Sequence, residues 1–556
     1  FFFVLSNFSI GKSKDQSIYS ISVKMVSTKF MIGWIAVQTI VCFNNYYVMM
    51  TSAAFWKPET AQLSLLEKNT INENVIKAEY AVRGPILDRA MELQQELKKG
   101  ADLPFDEIVF CNIGNPQALK QQPISYIREV LALVLCPELM SKRKFPTFKK
   151  MFPSDVIDQA QEYIKAMPNV GAYSNSQGLE IPRKQVASFI TARDGYDSSP
   201  DNVFLTNGAS EGVRYMYTVL VRDAAKGFND GILCPIPQYP LYSALTTLQK
   251  GTLVPYYLDE SQEWGCSVQN LQDALSKARR EGVTVRGLVV INPGNPTGQV
   301  LSVQNMKEIV QFCVDEGLVL CADEVYQENI WASGKEFVSF KKVACDMGYL
   351  GDVSQEPKSG ETLQLVSFHS VSKGFLGECG LRGGYFEVHG LPDDVKQQVY
   401  KLASISLCSN TIGQLTTGLM CDLPAEGSPS FNKYQTERDA ILSSLFRRAE
   451  KLSLALNNLE GVSANPSQGA MYAFPSITLP SKAVEAAKAA GTAPDAFYCM
   501  NLLEETGIVV VPGSGFGQVE GTWHFRTTFL PSEDKMDGVM TRLAAFHSSF
   551  MDKYRD

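Results

Sequence analysis

The segment from Ser370 to Tyr385 holds the residues best suited to chemistry, because two serines precede one lysine and an arginine follows it. The amine of Lys373 could form a Schiff base with an aldehyde. The hydroxyl groups of Ser370 and Ser372 and the guanidinium of Arg382 could neutralise a phosphate. The segment therefore predicts covalent binding of a phosphorylated aldehyde, although a solvated loop would give the same Ser-x-x-Lys pattern.

A carboxylate ends an earlier apolar run, where Asp323 follows residues 318–322. A buried carboxylate needs a cationic partner, since its desolvation is costly otherwise. Pyridoxal phosphate is a phosphorylated aldehyde, and its pyridinium nitrogen is such a partner; an anion beside it keeps the ring electron-withdrawing. Asp323 is therefore the candidate for this role, with a cap on the next helix as the alternative.

The elements that must position these groups are short buried strands that end in loops. Residues 363–368 form an apolar run before Ser370, and residues 287–291 form another before a loop with two Asn-Pro pairs. Open α/β sheets bind ligands beyond the carboxyl ends of their strands. Asn295 in that loop and Tyr326 are expected to donate to the phenolate oxygen of the ring.

A third strand suggests where the phosphate lies. Residues 203–206 are followed by Gly208 and by a helical pattern from Val213 to Ala225. A glycine turn between a strand and a helix directs free backbone amides and the positive end of the helix dipole at an anion. On its own this signal is weak, because many helices begin with glycine and serine.

From about Pro58 to the C-terminus the chain resembles the fold type I pyridoxal-phosphate aminotransferases. It is most similar to their subgroup of alanine and glutamate:glyoxylate aminotransferases. The motifs that carry the resemblance, besides those above, are Gly114-Asn115-Pro116-Gln117, Gly171 to Gly178, Pro235 to Ala244, and Gly377-Glu378-Cys379-Gly380. The resemblance implies an α/β fold with a large, mostly parallel sheet domain and a smaller α+β domain.

The domain boundaries that follow from this resemblance divide the chain into four parts. Residues 1–57 would be a targeting or non-native leader, and residues 58–140 an arm with part of the small domain. Residues 141–405 would form the large domain that binds the cofactor, and residues 406–556 the rest of the small domain.

The resemblance also implies roles for single residues. Lys373 would carry the cofactor and then move the substrate proton, with Asp323 and Tyr326 as the other catalytic residues. Arg526 would bind the substrate carboxylate with help from Gly114 and Asn295, although an arginine in a strand more often lies on a solvated face. The remaining cofactor contacts would be a ring stacked on Tyr239, and a phosphate held by Ala209, Ser210, Ser370, Arg382 and, from a neighbouring subunit, Tyr173.

The implied reaction is a reversible, ping-pong transfer of the amino group from L-alanine to 2-oxoglutarate. The implied assembly is a homodimer with shared active sites. Glyoxylate as acceptor is the nearest alternative, and a pyridoxal-phosphate lyase is a further one. A cofactor-sensing regulator of this fold would carry an N-terminal helix-turn-helix, which residues 1–57 do not suggest.

Composition fits an ordinary large enzyme. The 556 residues are 45% hydrophobic with a net charge of −8, so nothing calls for a nucleic-acid partner. The 12 cysteines form no Cys-x-x-Cys pair, and with four histidines they indicate no metal cluster. The glycines between Gly513 and Gly517 lack the setting of a dinucleotide fingerprint.

The first 57 residues have the composition of a targeting segment. They contain one acid, Asp15, several lysines and many serines, which favours a transit peptide. The apolar run from Phe30 to Phe43 is short for a membrane span but fits a signal-peptide core, so no stable membrane association is expected. A mitochondrial or cytoplasmic location is favoured, and a plastid or other organelle stays open.

Overall fold

The computed structural model describes residues 66–68, 70–80, 84–142, 145–167, 169–351 and 362–555. The predicted leader at residues 1–57 lies outside them. The chain divides into two compact units, Phe1–Ile71 and Asn72–Asp556. Every element named below belongs to the second unit.

The α-helices are α1 Glu73–Lys77, α2 Pro85–Lys98, α3 Ser125–Leu135, α4 Pro146–Met151, α5 Ser154–Ala166, α6 Glu180–Asp194, α7 Ala209–Leu220, α8 Leu241–Leu248, α9 Val268–Arg280, α10 Val303–Glu316, α11 Phe340–Asp346, α12 Asp393–Ile405, α13 Thr411–Cys421, α14 Phe431–Asn457, α15 Ser481–Ala489, α16 Pro494–Thr506 and α17 Glu533–Tyr554. The strands are β1 Val109–Phe110, β2 Val203–Thr206, β3 Asp230–Ile236, β4 Thr252–Tyr257, β5 Thr284–Ile291, β6 Val319–Asp323, β7 Leu365–Ser370, β8 Gly384–His389, β9 Val462–Ser463, β10 Tyr472–Ala473, β11 Ser476–Ile477, β12 Ile508–Val509, β13 Val511–Pro512 and β14 Phe525–Thr528.

A seven-stranded sheet with the order β2-β8-β7-β6-β5-β3-β4 organises the middle of the chain. Strand β8 runs antiparallel to both of its neighbours, and the other adjacent strands pair in parallel. The predicted mostly parallel sheet is therefore confirmed. Because β2, β5, β6 and β7 share one direction, their carboxyl ends meet at one edge of the sheet.

Both faces of this sheet are buried, as the continuous apolar runs of its strands require. In β5, Leu288 and Val290 belong to the core on one face, whereas Val289 and Ile291 belong to the core on the other. Helices cover both faces, which leaves the loops at the strand ends as the place for a binding site.

Smaller sheets join the two ends of the second unit. Strand β14 lies between β10 and β13 in an antiparallel sheet of three strands. Strand β1 pairs in parallel with β12, so residues near 110 lie beside residues near 508. The seven-stranded sheet lies within the predicted range 141–405, and the four-part division itself stays a prediction.

Two predicted boundaries differ from the structure. Helix α7 begins at Ala209 rather than Val213 and ends at Leu220 rather than Ala225. Gly208 has a φ of 84° and leaves strand geometry at once, so the helix starts directly behind it. Strand β7 extends to Ser370, because β8 continues to pair with it there.

Two features are absent from the described residues. No helix there has both the length and the apolar composition to cross a membrane. In the same residues, no group of three or more histidine, cysteine or acidic side chains could hold a metal ion.

Candidate active site

A cavity of about 380 Å³ opens where β2, β5, β6 and β7 end. Its walls also include residues of the N-terminal arm and of the β10-β14-β13 sheet. The predicted site residues that line it are Gly114, Ala209, Ser210, Tyr239, Asn295, Asp323, Tyr326, Ser370, Lys373, Arg382 and Arg526. Among the predicted residues only Tyr173 lies outside this lining, and its side chain is 79% exposed.

Lys373 points into the cavity from the loop after β7. Its Nζ donates to the carbonyl of Gly114 at 3.0 Å and lies 5.6 Å from the centre of the Tyr326 ring. A Cβ on Gly114 would lie 2.8 Å from that Nζ and 2.5 Å from the hydroxyl of Tyr472. Only glycine at position 114 therefore lets the lysine and this tyrosine approach the backbone.

Asp323 is the last residue of β6 and is buried. Its Oδ2 accepts from the Tyr242 hydroxyl at 2.5 Å, and its Oδ1 accepts from the Val325 amide at 3.4 Å. Within the described chain it forms no ion pair. Burial raises the pKa of Asp323, and the Tyr242 hydrogen bond opposes that rise only in part. The carboxylate thus lacks a cation in direct contact.

Hydroxyls, amides and a guanidinium surround one end of the cavity. Helix α7 begins there, and the first amides of a helix have no intrahelical acceptors. Arg382 donates to Ser372 Oγ at 3.5 Å and to the Asn207 carbonyl at 2.7 Å. A Cβ on Gly208 would lie 2.6 Å from a guanidinium nitrogen of Arg382, so a larger residue would displace it. This arrangement suits an anion.

Arg526 lies on β14 at the other end and is 1% exposed. It donates to Asn295 Oδ1 at 3.1 Å and to the carbonyl of Asn112. Its Nε is buried without a hydrogen-bond partner in the described residues. The rings of Tyr472 and Phe516 lie 4.3 and 4.7 Å from its guanidinium carbon. A charge held this way is ready for a carboxylate, so the solvated-face alternative is wrong.

The loop after Gly114 is fastened to the loop after Lys373. Gln121 donates to the Phe375 carbonyl at 2.8 Å. Arg128 of α3 binds both carboxylate oxygens of Glu378 at 2.9 and 2.8 Å, and Glu378 is buried. A bidentate pair of this kind fixes orientation as well as distance. The Gly-Glu-Cys-Gly motif therefore holds the lysine loop against the N-terminal arm.

Two tyrosines of the cavity lining were not predicted from the sequence. The Tyr80 hydroxyl lies 2.6 Å from the Tyr239 hydroxyl, and no local pattern around Tyr80 signals this contact. Tyr472 is buried beside Lys373 and Arg526. It lies in Pro466–Pro475, a segment that resembles the family's strand at the substrate entrance, and that is the only sequence signal for it.

The family described as aminotransferase class I and II matches residues 144–543 of this chain. The chain belongs to the class I and II aminotransferases. This agrees with the lysine, aspartate and arginine found in one cavity. The predicted family and the predicted enzyme class, a pyridoxal-phosphate-dependent transaminase, are therefore confirmed.

Several members of the family are similar along nearly their whole length. Alanine aminotransferase 2 of Panicum miliaceum is 54% identical over 489 residues, which cover 87% of this chain and 98% of that protein. Mitochondrial alanine aminotransferase 1 of Arabidopsis thaliana is 54% identical, with 88% of each chain covered. Glutamate–glyoxylate aminotransferase 1 of Arabidopsis thaliana is 50% identical over 88% of this chain and 98% of its own. The predicted subgroup is confirmed.

Solved structures of other members share the fold. The alanine aminotransferase of Pyrococcus furiosus superimposes with a TM-score of 0.65 at 23% identity, covering 86% of this chain and 100% of its own. An aminotransferase of Escherichia coli gives the same TM-score over 88% of this chain and 99% of its own, also at 23% identity. At this identity the likeness shows the fold type I architecture alone.

Class I aminotransferases use pyridoxal phosphate, and the residues of this cavity fit that group. The buried carboxylate of Asp323 has no cation in contact, which a protonated ring nitrogen would provide. The start of α7, with Arg382, forms a cradle that a Cβ on Gly208 would disturb. Lys373 lines the same cavity as these two features.

Proposed function

We propose that this aminotransferase transfers the amino group of L-alanine to 2-oxoglutarate, giving pyruvate and L-glutamate. The observation that carries the proposal is that one cavity is lined by Lys373 and by a buried Arg526 whose Nε has no hydrogen-bond partner among the described residues. A small α-amino acid offers a carboxylate to Arg526 and an amine to the aldehyde that Lys373 would hold. Relatives named alanine aminotransferase at 54% identity support the choice of substrate.

Arg526 and Gly114 would fix the substrate carboxylate. A planar guanidinium can bind a carboxylate through two parallel hydrogen bonds, which a lysine could not reproduce. The stacked rings of Tyr472 and Phe516 exclude water from the guanidinium and strengthen its attraction for the anion. The amino acid would thus lie with its α-carbon towards Lys373.

Lys373 would take the α-proton of the bound amino acid with a neutral Nζ. The Gly114 carbonyl, 3.0 Å from that nitrogen, restrains its position. The loop that carries the lysine is held by the Arg128–Glu378 pair, so the base is placed before substrate arrives. Preorganisation of this kind shortens the search for a reactive geometry.

The remaining residues would bind and polarise the cofactor. When bound, pyridoxal phosphate supplies an aldehyde for the amine and a ring that withdraws electrons from the α-carbon. Asp323 would hold a proton on the ring nitrogen, and Tyr239 would stack on the ring. Asn295 uses its Oδ1 to accept from Arg526, so the donor it has left for the ring oxygen is its Nδ2 amide. Ser370, Arg382 and the amides of Ala209 and Ser210 would bind the phosphate.

The test measures pyruvate formed from L-alanine by the purified protein with added pyridoxal phosphate. We expect faster turnover with 2-oxoglutarate as acceptor than with glyoxylate. The reverse order would move the assignment to the glutamate–glyoxylate type, which the 50% identical relatives favour. Product formed over many turnovers without any keto acid would instead identify a lyase, because a transaminase without an acceptor stops after one product per site.

We also propose a homodimer in which Tyr173 reaches the phosphate of the partner subunit. Tyr173 is 79% exposed, and Ile405 and Leu407 are 75% and 52% exposed. The segments that carry these residues meet, because Ser176 Oγ donates to the Leu407 carbonyl at 2.6 Å. An apolar patch at such a place is typical of a protein interface.

Hybrid dimers test this arrangement. Tyr173→Phe should weaken cofactor binding about tenfold, since one hydrogen bond to a charged group is lost. Mixed with Lys373→Ala subunits, it should form a hybrid with one fully native site, whose cofactor affinity and turnover equal those of one wild-type site. Unmixed preparations are the controls. A mixture whose cofactor affinity and turnover do not exceed the sum of the two unmixed preparations would contradict the shared site.

A further inference from the structure

Tyr472 occupies a position between the two charged groups of the cavity. It lies on β10, whose register pairs it with Thr528 of the strand that carries Arg526. Its ring covers the Arg526 guanidinium at 4.3 Å. Its hydroxyl and the Nζ of Lys373 face the same small space beside Gly114, where one added Cβ would touch both. The residue is 2% exposed, so these contacts lie away from bulk solvent.

The environment of the Tyr472 hydroxyl favours its anion. The Tyr326 hydroxyl donates to the Tyr472 oxygen at 3.0 Å. Burial opposes ionisation, yet the positive charges of Lys373 and Arg526 and the Tyr326 hydrogen bond bring the pKa of Tyr472 below its ordinary value. For the neighbouring Tyr326 and Tyr239, burial raises the pKa well above the ordinary value.

The proposed reaction needs a proton acceptor for the lysine. Lys373 must be neutral to take the α-proton, so a free ammonium has first to lose a proton inside the cavity. Asp323 would be committed to the ring nitrogen. Among the residues lining the cavity, Tyr472 is the one whose pKa is lowered and whose hydroxyl lies beside the lysine.

We propose that the Tyr472 hydroxyl is the proton partner of Lys373. As the phenolate it accepts one proton from the Lys373 ammonium: an N–H bond breaks, an O–H bond forms, and a neutral amine and a neutral phenol result. The proton returns to the amine by the reverse transfer. This inference deepens the proposed function and rests on the role given there to Lys373.

An ultraviolet titration of tyrosinate tests the proposal without measuring turnover. The full-length enzyme is loaded with pyridoxamine phosphate, so that Lys373 carries no covalent bond. We expect one tyrosine to ionise below the ordinary tyrosine range, and Tyr472→Phe to remove that step. Lys373→Ala should move the step to higher pH, because a neighbouring positive charge is gone. An unchanged step in Lys373→Ala, or no low step in wild type, would overturn the proposal and leave the proposed function standing.

Kinetics separate the hydroxyl from the ring. Tyr472→Phe removes the hydroxyl, so kcat should fall about 100-fold, as for other proton-transfer groups. It keeps the ring over Arg526, so KM should be nearly unchanged. Tyr472→Leu should in addition raise KM for the amino acid about tenfold, since the cation–π contact is lost. The pH dependence of kcat should change in both variants, which a purely structural role would not cause.

Tyr256→Phe is the matched control. It also removes a buried tyrosine hydroxyl, one that donates to the Val289 carbonyl at 2.8 Å outside the cofactor cavity. It should retain both the low tyrosinate step and kcat. A kcat for Tyr472→Phe within about twofold of this control would contradict the proposal. If Tyr472→Phe does not fold, the shift of the low tyrosinate step to higher pH in Lys373→Ala still tests the proposal.

Discussion

Alanine at position 373 should lower turnover of the amino acid by about 10⁴-fold or more. Both the covalent link to the cofactor and the base for the α-proton are lost with Nζ. The phosphate cradle at α7 does not involve this nitrogen, so the variant should still bind pyridoxal phosphate. Absorbance of the bound aldehyde measures binding, and stopped-flow mixing with L-alanine measures the chemical step.

Two further measurements show whether this loss comes from the missing amine. Lys342→Ala is the matched control, because Lys342 is half exposed on α11 and pairs with Asp346 at 3.6 Å. It should keep full activity. A small primary amine added to Lys373→Ala should restore part of the rate, more so the more basic the amine. Near-normal turnover in Lys373→Ala without such an amine would refute the assignment.

Asparagine at position 323 should lower kcat about 1,000-fold while the cofactor remains bound. The amide is nearly the same size as the carboxylate and can still accept from Tyr242. It carries no charge, however, and cannot hold a proton on the ring nitrogen. The electron-withdrawing power of the ring therefore falls. Unchanged turnover would place the electrostatic partner elsewhere.

Asp323→Asn should lower activity but should not lower the stability of the cofactor-free protein. Burial raises the pKa of Asp323 above its ordinary value of 3.8, so the folded protein holds this proton more tightly than the unfolded chain. The ionised carboxylate thus destabilises the fold as pH rises through and beyond that value. At neutral pH, urea unfolding should find Asp323→Asn at least as stable as wild type.

Asp230→Asn is the contrasting variant. Arg222 donates to the Asp230 carboxylate at 2.8 and 2.7 Å, and this hydrogen bonding lowers the pKa of Asp230. Its contribution to stability is present above the ordinary value of 3.8 and is lost as pH falls below it. At neutral pH the variant should lose about 1–3 kcal/mol of unfolding free energy and keep its activity. Together the two variants separate a residue that supports the fold from one that serves the reaction.

The sequence predicted the sheet and most of the cavity because the relevant signals are local. Asp323, Ser370 and Asn295 each end or follow a buried apolar run, and parallel strands bring such positions to one edge. The start of α7 was misplaced because a glycine turn hides the first helical residues from a periodicity argument. Tyr173 stays a prediction, since its expected target belongs to another subunit.

Contacts between distant segments could not be predicted in this way. Tyr326 and Tyr472 are 146 residues apart, and the hydrogen bond between them depends on how β10 lies against the main sheet. Arg128 and Glu378 are 250 residues apart. Each is an ordinary polar residue in its own segment. Only tertiary packing brings the two members of each pair together.

The pairing of β1 with β12 affects the order in which parts of the chain can fold during protein synthesis. Residues 203–389, which contain the sheet, the phosphate cradle and Lys373, leave the ribosome well before Arg526. Segments of a chain fold as they emerge, and pairings between distant segments form late. In a nascent chain, the residues proposed to bind the cofactor phosphate therefore precede the arginine proposed to bind the substrate. Strand β1 of the N-terminal arm cannot pair until β12 has been made.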